Sequence, residues 1–227
     1  MHFFYLHGFA SSARSSKAAF FAERLRRAGH ALHTPDFNEP EFSTLTITRM
    51  VDQVINAVDA LPSDRVALIG SSLGAFVAIQ TALRRAGQVD RLILLAPALD
   101  FGANRMRDFG DRGLEEWQRT DCLNVFHYGY GRTIPVHYDL YKDATRYDCV
   151  GAQLSVPMQV FQGRGDTAVD PASVERWAHA RSNVELHMLD DDHQLMSSLE
   201  YIWGEASRFL GVAEDAAERT PQRSTKR

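Results

Sequence analysis

The chain has 227 residues, 44% of them hydrophobic, and a formal net charge of −4 at pH 7. That is one domain, or one domain with an insert, with enough apolar content for a core. The small charge and the lack of a basic stripe argue against a nucleic-acid partner, and no apolar run reaches the roughly 18 residues a membrane span needs. The two cysteines, Cys122 and Cys149, form no C-x-x-C, so free thiols in a reducing compartment are expected. The opening residues lack a basic region and carry too short an apolar run for a signal peptide. A cytoplasmic location follows as the expectation.

Taken in order, the pattern predicts a first strand over residues 3–6, ending in His7-Gly8-Phe9-Ala10-Ser11-Ser12. Ser11 or Ser12 is placed to cap the next helix. There Ala18, Phe21, Ala22, Leu25 and Ala28 recur at helical spacing, Arg24, Arg26 and Arg27 enrich the end, and Gly29 stops it. A second strand is expected over 31–34, then a turn at Pro35-Asp36-Phe37 and loop over 38–44. Ile47, Met50, Val51, Val54, Ile55, Val58 and Leu61 give the cleanest amphipathic helix, ended by Pro62. A third strand spans 66–69, and its helix runs to about residue 85, with Gly87 as terminator. The continuous apolar run 92–96 reads as a strand covered on both faces.

Residues 100–155 break this rhythm. They hold nine aromatic residues, from Phe101 to Tyr147, and show no strong period of two. They read as a cap inserted over the sheet edge, with short helices over 113–119 and 136–144. A strand at 158–161, a helix at 171–180 opened by Pro171, a strand at 184–189 and a closing helix carrying Met196 to Leu210 complete the pattern. Residues 212–227 are polar, with no apolar face, and are expected to be a disordered tail. The strand–helix alternation predicts an α/β, doubly wound, parallel sheet in one domain over 1–211.

Gly70-Ser71-Ser72-Leu73-Gly74 is a G-x-S-x-G between a strand and a helix, the pattern of a nucleophile elbow. Side chains at 70 and 74 would collide with the crossing backbones. Ser72 would stand exposed at the turn, with the Leu73 N–H facing developing negative charge. Asp166 follows the fifth strand and His193 the sixth, where open parallel sheets place their sites. A serine needs an adjacent base, a histidine can shuttle its proton near neutral pH, and a carboxylate fixes the imidazole tautomer. Asp170, just before Pro171, is placed to cap a helix and stays open as the alternative acid; Asp100 is a more distant one. The second oxyanion donor is expected from the loop after the first strand, at the Phe9 N–H, with His7 and Gly8 shaping that loop. Asp190-Asp191-Asp192-His193 could be read as metal ligands, but no second cluster has suitable spacing, so no metal is expected.

Tyr5-Leu6-His7-Gly8-Phe9, the elbow, Gly163-Arg164-Gly165-Asp166 and Asp192-His193 resemble the α/β-hydrolase superfamily over residues 2–211. The segment from His7 to Lys17 and the elbow are also similar to small bacterial YqiA-type esterases. The resemblance implies a triad of Ser72, Asp166 and His193, an oxyanion hole at Phe9 and Leu73, and no cofactor. The chain departs from the superfamily at its start, because the two usual leading antiparallel strands are missing. A shortened α/β-hydrolase fold is therefore expected, with six mostly parallel strands in the order 2-1-3-4-5-6 and a helical cap. The activity implied is a serine hydrolase of carboxylic esters or thioesters; the aromatic-rich insert points to an uncharged, partly apolar small-molecule substrate, and a monomer or homodimer is expected. Peptidase, lactonase, carbon–carbon hydrolase or perhydrolase chemistry uses the same constellation. A non-catalytic ligand-binding member of the fold is the reading from another class.

Overall fold

The computed structural model describes residues 1–62, 65–101 and 110–212, and of 110–112 only the backbone. The expected tail lies outside the described residues apart from Val212, as does the 102–109 part of the insert.

Six parallel strands form one sheet: β1 His2–Leu6, β2 Leu32–His33, β3 Val66–Ser71, β4 Val89–Leu95, β7 Met158–Gly163 and β8 Val184–Leu189, in the order β2-β1-β3-β4-β7-β8. That is the order the resemblance implies, in the parallel sheet the alternation predicts. In the central strands alternate residues face opposite layers, and both layers are apolar, which is why these segments read as unbroken hydrophobic runs. Phe3, Tyr5, Ala67, Ile69, Ile93, Leu95 and Phe161 pack on one side with helices α1 (Ser16–Arg27) and α7 (Leu199–Leu210). Phe4, Leu6, Leu68, Leu92, Leu94 and Val160 pack on the other with α2 (Ile47–Asp59), α3 (Leu73–Arg84) and α6 (Pro171–His179).

Helix ends differ in detail from the expectation. Ser15, not Ser11 or Ser12, caps α1, its hydroxyl accepting the Ala18 N–H at 3.3 Å. The helix therefore starts later, and the extra residues lengthen the loop after β1. The α3 helix ends at Arg84 with Arg85 as its cap, ahead of Gly87. Residues 42–44, expected as loop, form a 3-10 turn. Met196 lies in the turn before α7 and is 45% exposed.

The insert is not purely helical. Helix α4, Gly110–Thr120, covers the first expected helix. The second, 136–144, divides: its start belongs to a strand, and only α5, Asp139–Ala144, is helical. Strands β5 (Cys122–His127) and β6 (Arg132–His137) form an antiparallel hairpin that the aromatic-rich composition hid. The insert is tied to the main body through side chains. Asp143 accepts the Thr48 N–H and hydroxyl at the start of α2, both at 2.6 Å, and Gln80 of α3 donates to the Asp148 carbonyl at 2.8 Å.

Candidate active site

The loops at the C-terminal ends of β1, β3, β7 and β8 converge. Ser72 sits between β3 and α3 with φ 54° and ψ −114°, a conformation costly for a residue with a Cβ. The crossing of strand and helix holds it there. A Cβ on Gly74 would lie 1.9 Å from the Leu6 carbonyl oxygen, and one on Gly70 2.5 Å from the Ala75 Cα. The Ser72 N–H donates to the Leu95 carbonyl at 2.8 Å, and its own carbonyl accepts from Ala75 and Ala98. Backbone on every side fixes the turn and leaves the hydroxyl to project.

His193 Nε2 lies 3.1 Å from Ser72 Oγ, and its Nδ1 lies 2.8 Å from Asp166 Oδ2. A carboxylate can only accept, so Nδ1 carries the proton and Nε2 is left to accept from the serine hydroxyl. The Asp166 side chain is fully buried, and every oxygen is used. Oδ1 accepts the Ala168 and Val169 N–H groups, both at 2.8 Å, and Oδ2 also accepts from Gln162 Nε2 at 2.9 Å. Burial alone would raise the pKa of this carboxyl. The hydrogen bonds from His193, Val169 and Gln162 outweigh it and hold the pKa below its ordinary value.

The two loops bearing Asp166 and His193 are locked together. A Cβ on Gly163 would lie 2.5 Å from the carbonyl oxygens of Asp191 and Asp192, and the Gly165 N–H donates to Asp191 at 3.0 Å. Only glycine lets the end of β7 come this close to the histidine loop. Asp170 takes no part. It caps α6, its carboxylate accepting the Ala172 and Ser173 N–H groups at 3.1 Å.

Leu73 opens α3, so its N–H is one of the donors a helix start leaves unpaired. Across from it, Gly8 abuts the serine: a Cβ there would stand 4.0 Å from Ser72 Oγ. Phe9 follows, its ring near Phe42 and Phe101. Among the described residues neither the Leu73 nor the Phe9 N–H has a hydrogen-bond acceptor. His7 lies beneath this loop, 2% exposed. Its Nδ1–H donates to the Gly8 carbonyl at 2.9 Å, and its Nε2 accepts the Phe37 N–H at 3.0 Å. It braces the loop and does not face Ser72.

A family model for UPF0227, described as an uncharacterised protein family, matches residues 2–209. The chain belongs to UPF0227. No curated protein matches this sequence. Solved structures do match in fold. Est1E from Butyrivibrio proteoclasticus, solved with ferulic acid, is similar to this UPF0227 chain at TM-score 0.77 and 17% identity, covering 92% of this chain and 87% of its own. Mouse alpha/beta hydrolase domain-containing protein 10 is similar at 0.76 and 18%, covering 92% and 89%. The Pyrococcus furiosus esterase Pf2001 is similar at 0.65 and 20%, covering 94% and 83%. The UPF0227 chain thus has the α/β-hydrolase fold that its resemblance predicts, with a six-stranded sheet among the described residues.

Two residues at this site in the UPF0227 chain escaped the sequence reading. Gln162 is fully buried at the end of β7, where a polar side chain in a buried strand was the available signal. His127, also fully buried, joins the insert to the site loops. Its Nδ1 accepts the Tyr130 N–H and its Nε2–H donates to Asn38 Oδ1, both at 3.1 Å. The Tyr128 N–H beside it donates to the Ala10 carbonyl at 2.9 Å, one residue beyond Phe9. No helix among the described residues is long and apolar enough to cross a membrane.

Proposed function

We propose that this chain is a serine hydrolase of carboxylic esters or thioesters, working without a cofactor on a small molecule. The observation that carries the reading is the unbroken relay from Ser72 Oγ through His193 to Asp166, at 3.1 and 2.8 Å, on a serine held at positive φ. Ser72 attacks the acyl carbon as His193 Nε2 takes its proton. The carbonyl oxygen becomes an oxyanion facing the Phe9 and Leu73 N–H groups, donors that need no reorganisation as charge develops. Asp166 keeps His193 in the Nδ1–H tautomer and stabilises it while charged. His193 then protonates the leaving alcohol or thiol, and the acyl group stays on Ser72. Water attacks that acyl-enzyme with His193 again as base, which releases the acid and restores the serine. The Pyrococcus furiosus neighbour is named an esterase, which supports the ester assignment. Cys122 and Cys149 are both free thiols, which supports work in the cytoplasm.

The test is hydrolysis of p-nitrophenyl esters from acetate to laurate by wild type and Ser72→Ala, with fluorophosphonate labelling alongside. Turnover and labelling that vanish in the variant are expected, with kcat down by roughly 10⁴-fold or more. Folded wild-type protein that neither labels nor turns over any ester would point instead to a ligand-binding member of the fold.

A further inference from the structure

A cavity of about 780 Å³ opens between the loop after β1 and the loop after β8. Its wall includes Ser11 and Ser12, just past Phe9, and Gln194, next to His193. It therefore adjoins the two loops that hold the Phe9 N–H and the His193 ring. Tyr128, Tyr130 and Met196 close part of it.

The cavity is lined by charges of both signs, Arg14 and Lys17 against Asp36 and Glu39. At the start of α1 the wall carries Arg14, Lys17 and the serines Ser11, Ser12, Ser15 and Ser16. This helix has 12 residues and no acid in its first turn, so the positive end of its dipole is not offset locally. Of the two acids, Asp36 is already engaged, its Oδ1 accepting the Asn38 N–H at 3.1 Å.

Lys17 is the informative residue. It lines the cavity yet is only 8% exposed, and among the described residues its ammonium has no hydrogen-bond or ion-pair partner. Its ammonium is not among the fully buried polar atoms that lack a partner, so it reaches into the cavity on a buried stem. Burial pulls its pKa down to about 8, against the more distant pull of Asp192, Asp166 and Asp191. An anion seated at the start of α1 would supply the missing partner and meet Arg14, the serine hydroxyls and the helix end together.

We infer that this cavity is a substrate subsite for an anionic group, a phosphate or a carboxylate, held by Lys17, Arg14 and the serine-rich start of α1. The inference rests on the proposed hydrolase chemistry and refines it. The preferred ester carries a negative charge, in place of the uncharged substrate that the aromatic composition of the insert led us to expect. The aromatic rings form walls, and the cations select.

The test has two arms. In the first, inorganic phosphate and, separately, acetate are titrated calorimetrically into the full chain as wild type, Lys17→Met and Arg14→Gln. Saturable binding by wild type, weakened at least about tenfold in each variant, is expected, and the stronger of the two anions names the group. No saturable binding by wild type, or binding that survives both substitutions, overturns the subsite. In the second arm, two p-nitrophenyl esters of equal length are compared, one ending in a methyl group and one in a carboxylate. The ratio of kcat/KM, carboxylate over methyl, should fall about tenfold in each variant; an unchanged ratio overturns the role in selection. If neither ester reacts with wild type, the hydrolase reading fails while the titration still decides the subsite. Arg14 is exposed, so Arg14→Gln keeps the test open should Lys17→Met fail to fold.

Discussion

The loops that hold Ser72, Asp166 and His193 and the hairpin that overhangs them are built on opposite terms. Around Ser72 the constraint is backbone against backbone. Helix α3 crosses the end of β1 so closely that glycine is the one residue that fits at position 74. The β5–β6 hairpin has one backbone bond to the site loops, Tyr128 N–H to the Ala10 carbonyl, and is otherwise held by side chains: His127 on Asn38 and Trp117 Nε1 on the Val136 carbonyl at 2.9 Å, with Asp143 of the following helix on Thr48. It presents Phe126 and Tyr128 to solvent at 50% and 79% exposure. Backbone packing fixes an atom to a fraction of an ångström, as a nucleophile requires. Side-chain tethers allow a cover to vary in shape. The contrast teaches where the chain tolerates change, and substitutions in the two regions should separate it.

The largest effect is expected at Asp166. Asp166→Asn would present an amide N–H to His193 Nδ1 and favour the tautomer that cannot accept the Ser72 proton. On the proposed mechanism kcat falls by about 10⁴-fold. The contrasting change is Asp170→Ala, which removes only the α6 cap, costs about 1 kcal/mol of stability and leaves kcat near wild type. Steady-state kinetics and thermal melts on both proteins check the pair. Losses in the reverse order would reassign the acid.

Next comes a single substitution made in each region. Gly74→Ala puts a Cβ 1.9 Å from the Leu6 carbonyl oxygen and 2.8 Å from that of His7. Neither atom belongs to a flexible side chain, so a loss above about 4 kcal/mol, or no folded protein, is expected. Gly131→Ala in the hairpin turn has φ +64° but open space around the added carbon. It should cost only about 1–2 kcal/mol, the penalty of a left-handed alanine. Urea denaturation of both proteins measures the difference. Equal losses would mean that close approach does not set the elbow apart.

The same contrast explains what could be read in advance. Close backbone approach demands glycine, and a buried parallel strand demands an apolar run, so Gly70, Gly74 and the runs at 66–69 and 92–96 were legible, while the strand order came from the family resemblance. So was the meeting of Ser72, Asp166 and His193, because each follows a strand end. The hairpin was not, because Phe126 faces outward and obscures the inward alternation of Leu123, Val125 and His127. Pro135 within β6, a residue that sheets confine to edges, masks the strand further. Gly129 and Gly131 between the two segments were the turn signal to weigh against it. The Lys17 environment could not be foreseen at all, since its burial depends on loops brought together from β1, β2, β5–β6 and β8.

The smallest effect should come from His127, which tests whether the hairpin tether is local. Burial, aided by nearby His7, holds its pKa below the ordinary value of 6.5. The unfolded chain therefore takes up a proton first as pH falls, and the folded state must either stay neutral or protonate Nδ1 and lose the bond from the Tyr130 N–H. Stability from this residue is present above about pH 6.5 and is lost progressively as pH drops through the lowered folded-state pKa. His33, also lowered by burial, adds a share of the same sign. His127→Phe should remove the His127 share and cost about 1–2 kcal/mol at pH 8, since Asn38 Oδ1 and the Tyr130 N–H lose their partner. Thermal midpoints of wild type and variant at pH 8 and pH 5 measure both effects, the gap between them narrowing at the lower pH. A gap that stays constant would mean His127 packs as a ring and not as a titrating tether. The hairpin would then rest on the Tyr128–Ala10 backbone bond, and the cover would be as firmly fixed as the site beneath it.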